Sequence, residues 1–361
     1  MRQWFNNCSV PVISQLEGMI KSAALAAGFD LCGIAPVTPN PELGYFPEWL
    51  AAGHGGEMKY LESRNQAGAL KRSSLENAAP WAKSVVVCAI NYNSEHPYST
   101  ECPDKSRGWV SRYAWSEKDY HDAVLARLRS LEKKIKEDSG SPEIRVWSYV
   151  DTGPIVERVL AKYAGIGWQG KNTCIINQEM GSWLFLAVIL TSLELTPDIP
   201  APDRCGSCTR CLDACPTDAF IEPYKLDATR CISYLTIEKR GEIPEELRRK
   251  MGNHVFGCDI CQDVCPWNRD APASEAEEFR PRTALVNPAL EWLAQMSQEE
   301  FRATFKDSPI KRAKYAGLRR NAAIAMGNSG NREFVPQLEA MSQEDNSDVA
   351  EHARWAVTRL K

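Results

Sequence analysis

The segment Cys205-Gly-Ser-Cys208-Thr-Arg-Cys211-Leu-Asp-Ala-Cys215-Pro216 spaces four cysteines as C-x2-C-x2-C-x3-C-P, the pattern of a bacterial ferredoxin. Three thiolates within seven residues wrap one face of a four-iron cubane, and the fourth crosses to a second cluster. A shorter copy follows as Cys258-Asp-Ile-Cys261-Gln-Asp-Val-Cys265-Pro266, whose missing first ligand would fall at Val255. Cys231 is the unused cysteine nearby. The spacing therefore assigns Cys205, Cys208, Cys211 and Cys265 to one [4Fe–4S] cluster, and Cys231, Cys258, Cys261 and Cys215 to another. Zinc also uses C-x2-C pairs, but a tetrahedral ion takes only two of them. A third cysteine at the same spacing, and a Cys-Pro ending each run, favour the clusters.

Around this module lie 361 residues with 13 cysteines, an odd count. Residues 1–8 show neither an apolar h-region nor a twin arginine, so an exported disulfide framework is not expected. The longest purely apolar run, residues 183–190, is far short of the roughly 20 residues a membrane helix needs. A soluble, cytoplasmic protein is the expectation, with no membrane partner. Lys and Arg number 43 against 47 Asp and Glu, a net charge of −4, so any nucleic-acid surface must come from segregated charge.

Apolar residues at 16, 19, 20, 23, 24 and 27 have helical period, as do those at 124, 125, 128, 131 and 135 within a predicted helix over 117–136. The run Ser84-Val-Val-Val-Cys-Ala-Ile90 suits a strand buried on both sides. Further strands are expected at 144–150, 174–177 and 182–191. Alternating helices and buried strands indicate an α/β domain over residues 1–195. Three prolines in residues 195–203 mark a linker before the cysteine module, 196–270. A helical tail, 271–361, follows. There Ala322 and Ala325 recur 31 residues later as Ala353 and Ala356, a period that fits HEAT-like helix pairs.

Gly165-Ile-Gly167-Trp-Gln-Gly170-Lys171-Asn172 matches G-x-G-x-x-G and nearly matches a P-loop. Both motifs require a strand before the loop and a helix after it. Here the order is reversed, with a helix expected over 155–164 and a strand after, and Asn172 replaces the magnesium-binding hydroxyl. Nucleotide binding is not expected. The glycines instead serve close backbone approach or a helix-to-strand turn.

Clusters carry single electrons, so the first domain should hold the acceptor: a flavin, a corrinoid or the substrate itself. Tyr149-Val-Asp151-Thr-Gly-Pro154, Ala164-Gly-Ile-Gly-Trp-Gln-Gly-Lys-Asn172, the two cysteine runs, Pro80-Trp-Ala-Lys-Ser84 and Lys118-Asp-Tyr-His121 together resemble the epoxyqueuosine reductases. The resemblance runs from about residue 12 to the end, and the family's core is similar to reductive dehalogenases. It implies a cobalamin cofactor, an external low-potential electron donor, and a tRNA substrate carrying epoxyqueuosine at the wobble position. The epoxide would be reduced, giving queuosine and water. A monomer is expected.

The resemblance also implies site residues. Asp151 would donate the proton, which near pH 7 requires a pKa raised by desolvation. The alternative is that Asp151 caps a helix starting near Pro154. Arg72, Ser111, Asp151, Ile175, Leu186 and Ser233 would contact the corrin, where the plain alternative is a solvated arginine and core side chains. For the tRNA, residues 302–320 carry Arg302, Lys306, Lys311, Arg312, Lys314, Arg319 and Arg320 against one acid, Asp307. Such a patch could neutralise phosphates without reading bases, or could be only a solvated face. Lys239-Arg240 is a second basic site. Competing functions are a corrinoid reductase of a small molecule, a non-catalytic electron-transfer adaptor, and a tRNA-binding scaffold with structural clusters.

Overall fold

The computed structural model describes residues 15–141 and 143–361. The segment read above for export signals, and residues 1–14 of the expected first domain, lie outside the described residues.

The first region contains α1 (Gln15–Ala26), β1 (Leu31–Pro36), β2 (Ser84–Asn91), β3 (Trp109–Val110), α2 (Tyr120–Asp138), β4 (Val146–Tyr149), α3 (Glu157–Tyr163) and β5 (Leu184–Thr191). Four of these strands form one sheet in the order β1-β2-β5-β4, and each neighbouring pair is antiparallel. All eight residues of β2 are buried. Side chains alternate across a strand. Val86, Cys88 and Ile90 therefore pack with Ile20 of α1 and Val124 and Leu128 of α2, whereas Val85, Val87 and Ala89 pack with Leu160 and Ala161 of α3. A sheet with helices on both faces needs apolar residues at every position, which is why the sequence shows an unbroken run. α2 starts where the Asp119 carboxylate accepts the His121 N–H. Over the expected 174–177 strand, Ile175 and Ile176 pair antiparallel with Trp168 and Gln169, and Asn177 makes an isolated bridge to Gly181.

The cysteine module contributes α4 (Arg210–Asp213), α5 (Ile232–Ile237), β6 (His254–Phe256) and α6 (Ile260–Asp263). β6 pairs in parallel with β3, joining the module to the first region. The proline-rich segment is tied down: Asp198 accepts the Ile34 N–H at 2.8 Å and pairs with Lys21 at 2.5 Å.

The tail forms α7 (Leu290–Gln295), α8 (Gln298–Phe305), α9 (Lys314–Ser329), α10 (Val335–Met341) and α11 (Ser347–Leu360). Ala322, Ala325, Ala353 and Ala356 are all buried. α9 and α11 approach so closely that a Cβ on Gly327 would lie 2.8 Å from that of Ala356. Trp109, Val110, Val255 and Phe256 share one core with Leu293, Phe305 and Met326. This apolar cluster joins all three expected regions.

No helix among the described residues is long and apolar enough to cross a membrane.

Candidate functional site

The cysteine loops occupy two groups. Burial pushes the Cys211 and Cys265 thiols up to about 11, and neighbouring cysteines add to the shift: Cys205 and Cys208 for the first, Cys211 and Cys205 for the second. Cys258 is likewise raised by burial and then by Cys231, with Cys215 also within reach, and Cys261 is raised first by its hydrogen bond with Cys174, then by burial, with Cys258 and Cys231 adding smaller contributions. Sulfurs crowded in this way need a cation to hold them as thiolates. Cys174, one of the scattered cysteines, lies against Cys261. No spacing rule singled it out.

The G-x-G-x-x-G segment is a helix-to-strand turn, with α3 before it and Ile175–Ile176 after it. A Cβ on Gly167 would sit 2.3 Å from the Ile176 carbonyl oxygen, so backbone approaches backbone there. The two residues after the glycines reach the cysteine loops. Lys171 Nζ donates to the carbonyls of Gly206 (2.7 Å) and Cys208 (2.9 Å), and Asn172 Nδ2 donates to that of Cys261 (3.2 Å).

A cavity of about 1740 Å³ is walled by all three regions of the chain. Asp151 lies in its lining, on the loop after β4, with its backbone in the left-handed region at φ 55°. That conformation is strained for an aspartate, and such strain gathers at functional positions. The helix-cap alternative does not hold. α3 begins at Glu157 behind Val156, without a side-chain cap. The Asp151 carboxylate instead accepts the Tyr120 hydroxyl at 2.9 Å and lies 3.8 Å from His121 Nε2. His121 Nδ1 in turn meets Asp119 at 2.7 Å, and Lys311 from the tail meets the other Asp119 oxygen at 3.0 Å. Burial alone would raise the Asp119 pKa. Hydrogen bonds from His121 and Lys311 outweigh it and hold the carboxyl at about 2. A fixed anion thus orients the imidazole that faces Asp151.

Arg72 also lines the cavity, but its guanidinium is committed to backbone: Nη1 donates to the Tyr60 carbonyl and Nη2 to that of Gly153, both at 2.8 Å. It clamps the loop that presents Asp151. The other expected corrin contacts lie outside the cavity lining. Ser111 is buried and donates to Asp259 at 2.5 Å. Ile175 and the half-buried Leu186 pack in the core beside α3. Ser233 hydrogen-bonds Cys231.

Three lining groups have a buried polar atom without a partner: Glu157 Oε1, Ser63 Oγ and Trp168 Nε1. Burial, then the Asp151 charge, raises Glu157 to about 7. Sequence reading passed over Glu157 because an acid in a first helical turn ordinarily just complements the dipole.

The basic run divides. Arg319 and Arg320 are buried. Arg319 binds Glu344 and the Ala294 carbonyl, and Arg320 the carbonyls of Leu235, Lys239 and Gly241. They cannot serve phosphate, and neither the full patch nor a solvated face describes the segment. Lys311, Arg312 and Lys314 remain at the cavity rim. Arg312 pairs with Glu238 at 2.5 Å. Of the second basic site, Lys239 pairs with Glu57 at 2.6 Å, and Arg240 donates to the Arg312 carbonyl at 2.8 Å.

Residues 72–152 match the family described as epoxyqueuosine reductase QueG, and residues 204–268 match the 4Fe-4S double cluster binding domain. Epoxyqueuosine reductase of Xanthomonas campestris is 39% identical over 94% of this chain and 95% of its own. That of Pseudomonas aeruginosa is also 39% identical, over 98% and 97%. Among solved structures, an epoxyqueuosine reductase bound to an epoxyqueuosine-modified tRNA stem loop superposes with TM-score 0.84 at 33% identity, covering 96% of this chain and 90% of that one. The Bacillus subtilis enzyme, with its aspartate catalytic loop swung out of the active site, also gives 0.84, at 32% identity and the same coverage.

Proposed function

The chain belongs to the epoxyqueuosine reductase family, and on that premise we propose that it reduces epoxyqueuosine at the wobble position of tRNA to queuosine and water. The reaction consumes two electrons and two protons. Electrons enter from an external low-potential donor and pass through two [4Fe–4S] clusters, bound by Cys205, Cys208, Cys211 and Cys265 and by Cys231, Cys258, Cys261 and Cys215. In this reading residues 1–195 form a cobalamin-binding domain, 196–270 a ferredoxin-like module and 271–361 a HEAT-like tail, in a cytoplasmic monomer.

The cavity fits a corrin. Its volume exceeds the about 300–1,000 Å³ of an ordinary small-molecule site. The unpartnered Glu157 oxygen, Ser63 hydroxyl and Trp168 N–H suit a ring fringed with amides, which both donate and accept. Cobalamin, when bound, supplies a cobalt centre that relays cluster electrons to the epoxide. The protein supplies the proton and the geometry. Asp151, presented by the Arg72 clamp, protonates the departing oxygen. Tyr120 and His121 return a proton to it, and the Asp119–Lys311 pair keeps the imidazole turned toward it. Lys311, Arg312 and Lys314 at the mouth take the anticodon backbone, and the wobble base is splayed into the cavity.

The observation that carries this reading is the strained Asp151 facing a large cavity that the cysteine module also walls. The test is anaerobic turnover of epoxyqueuosine tRNA by reconstituted protein, with cobalamin added or withheld, read by nucleoside mass spectrometry. Product should require cobalamin. Asp151→Asn should keep clusters and corrin and lose about 10²–10⁴ in rate. Full activity in that variant refutes the proton role, and no product from a corrin-loaded, cluster-replete wild type refutes the function.

A further inference from the structure

The chain covers its two cysteine groups unequally. Around the first, Arg204, Gly206, Ser207, Thr209 and Arg210 are exposed, and Cys205, Cys208 and Cys211 are themselves partly exposed. Around the second, Ile232, Gly257 and Asp259 are buried. A carrier arriving from solution therefore meets the first group. A groove of about 620 Å³, separate from the large cavity, has Cys265, Arg210 of α4 and Arg269 in its lining.

Most arginines of this chain are engaged. Among the described residues, only Arg129, Arg204, Arg210, Arg269 and Arg302 of that type make no hydrogen bond, ion pair or ring contact. Arg204, Arg210 and Arg269 gather at the first cysteine group: Arg204 precedes Cys205, Arg210 precedes Cys211, and Arg269 shares the groove with Cys265. All three are exposed. The carboxylates nearby hold other donors. Glu101 accepts the Tyr98 N–H at 3.1 Å, Asp213 the Thr209 hydroxyl at 2.7 Å, and Asp263 the Ser99 N–H at 2.8 Å. Asp203, beside Arg204, accepts the Cys205 N–H at 2.7 Å and the Tyr224 hydroxyl at 2.6 Å. The guanidinium forks stay open, and such a fork takes a carboxylate through two parallel bonds.

Open arginines beside a solvent-facing cluster loop describe a docking face, since arginine is enriched where proteins meet and charge complementarity speeds their encounter. We propose that this face receives the electron donor, and that the donor is a small redox protein whose acidic surface pairs with Arg204, Arg210 and Arg269. Each encounter moves one electron: the reduced carrier is oxidised and the first cluster is reduced. Two encounters supply the two electrons that the epoxide consumes. This deepens the function proposed above and rests on its two-cluster reading.

The full chain, reconstituted anaerobically with iron and sulfide and without tRNA or cobalamin, is mixed in stopped flow with an acidic flavodoxin in its hydroquinone form. The blue semiquinone that appears reports each electron delivered, so the readout does not depend on turnover. At low salt, the double variant Arg210→Gln, Arg269→Gln should lower the second-order rate constant by about tenfold or more, and the wild-type rate should fall as salt is added. Reduction by the methyl viologen radical, a small cation that needs no docking face, should be unchanged. Arg269→Gln alone, beyond the last cysteine, carries the test if the double variant loses its cluster. A flavodoxin rate unchanged in cluster-replete variants overturns the proposal. So does a loss shared equally with viologen, or a wild-type rate that rises with salt. A wild-type chain that assembles no first cluster overturns the reading of the cysteines, and the proposal with it.

Discussion

Replacing Arg320 with methionine separates two roles that charge counting merges, phosphate binding and internal scaffolding. Arg320 is 1% exposed, and burial pushes its guanidinium down to about 10. It donates to the carbonyls of Leu235 (2.8 Å), Gly241 (2.9 Å) and Lys239 (3.0 Å), and to Asn321 Oδ1 (3.0 Å). Methionine fills most of the stem's volume, so cavity formation is a minor cost. Three carbonyls lose their donor, at roughly 1 kcal/mol or more each, and the total should be about 3–5 kcal/mol. Against a whole-protein stability of about 5–15 kcal/mol, such a loss is easily seen. Urea unfolding should show a much lower midpoint for Arg320→Met with an unchanged slope. The segment that Arg320 holds follows Cys231, so cluster retention should fall as well. An unchanged urea midpoint combined with lost tRNA affinity would refute the scaffolding role and restore the arginine to the phosphate surface.

Lys314→Gln, by contrast, should leave the urea midpoint in place and weaken tRNA binding across sequences. The slope of log affinity against log salt should fall by about 1; an unchanged slope removes Lys314 from the interface. Glu157 predicts a pH dependence. Its carboxyl is raised from 4.5 to about 7 in the fold, so the folded state holds the proton more tightly than the unfolded chain. Its contribution is therefore most favourable below pH 4.5 and is lost as pH rises toward 7, by about 3 kcal/mol. Comparing urea midpoints of cobalamin-free wild type and Glu157→Gln between pH 5 and 8 tests this: the variant should lack that part of the decline. Gly167→Ala should cost about 1–3 kcal/mol, because its Cβ meets a carbonyl oxygen rather than a movable side chain; an unshifted urea midpoint would show that the turn yields.

Elements with a strong period were legible. α2 was expected over 117–136 and runs Tyr120–Asp138, with Val124, Leu128, Leu131 and Ile135 buried. β2 was expected over 84–90 and runs Ser84–Asn91. Strand direction was not legible, because an unbroken apolar run reports burial on both faces and says nothing about which neighbour runs which way. Ligand spacing grouped the eight cysteines, since a cubane fixes loop geometry locally. It could not reveal Cys174, which meets Cys261 only through the fold. Asp151 stood out only through family resemblance, since nothing local sets it apart among the 47 acids of the chain. Within the 302–320 run, Arg319 and Arg320 depart from the expected basic surface for a simple physical reason. Charge can be counted along a sequence, but its burial is decided by α9 packing beneath the Lys239–Gly241 carbonyls.

Lys171 and Asn172 make the two cysteine loops share a single point of reference. Their Cα atoms are necessarily about 3.8 Å apart, the span of one trans peptide. One side chain grips the first loop and the next grips the second, so the gap between the loops is gauged by a rigid covalent unit outside either of them. Electron tunnelling falls steeply with distance. A drift in that gap would be paid in rate long before it registered as instability. The stretch that mimics a phosphate loop thus acts as a spacer gauge, and substitutions there should alter the speed of intercluster transfer while each cluster, taken singly, keeps its spectrum.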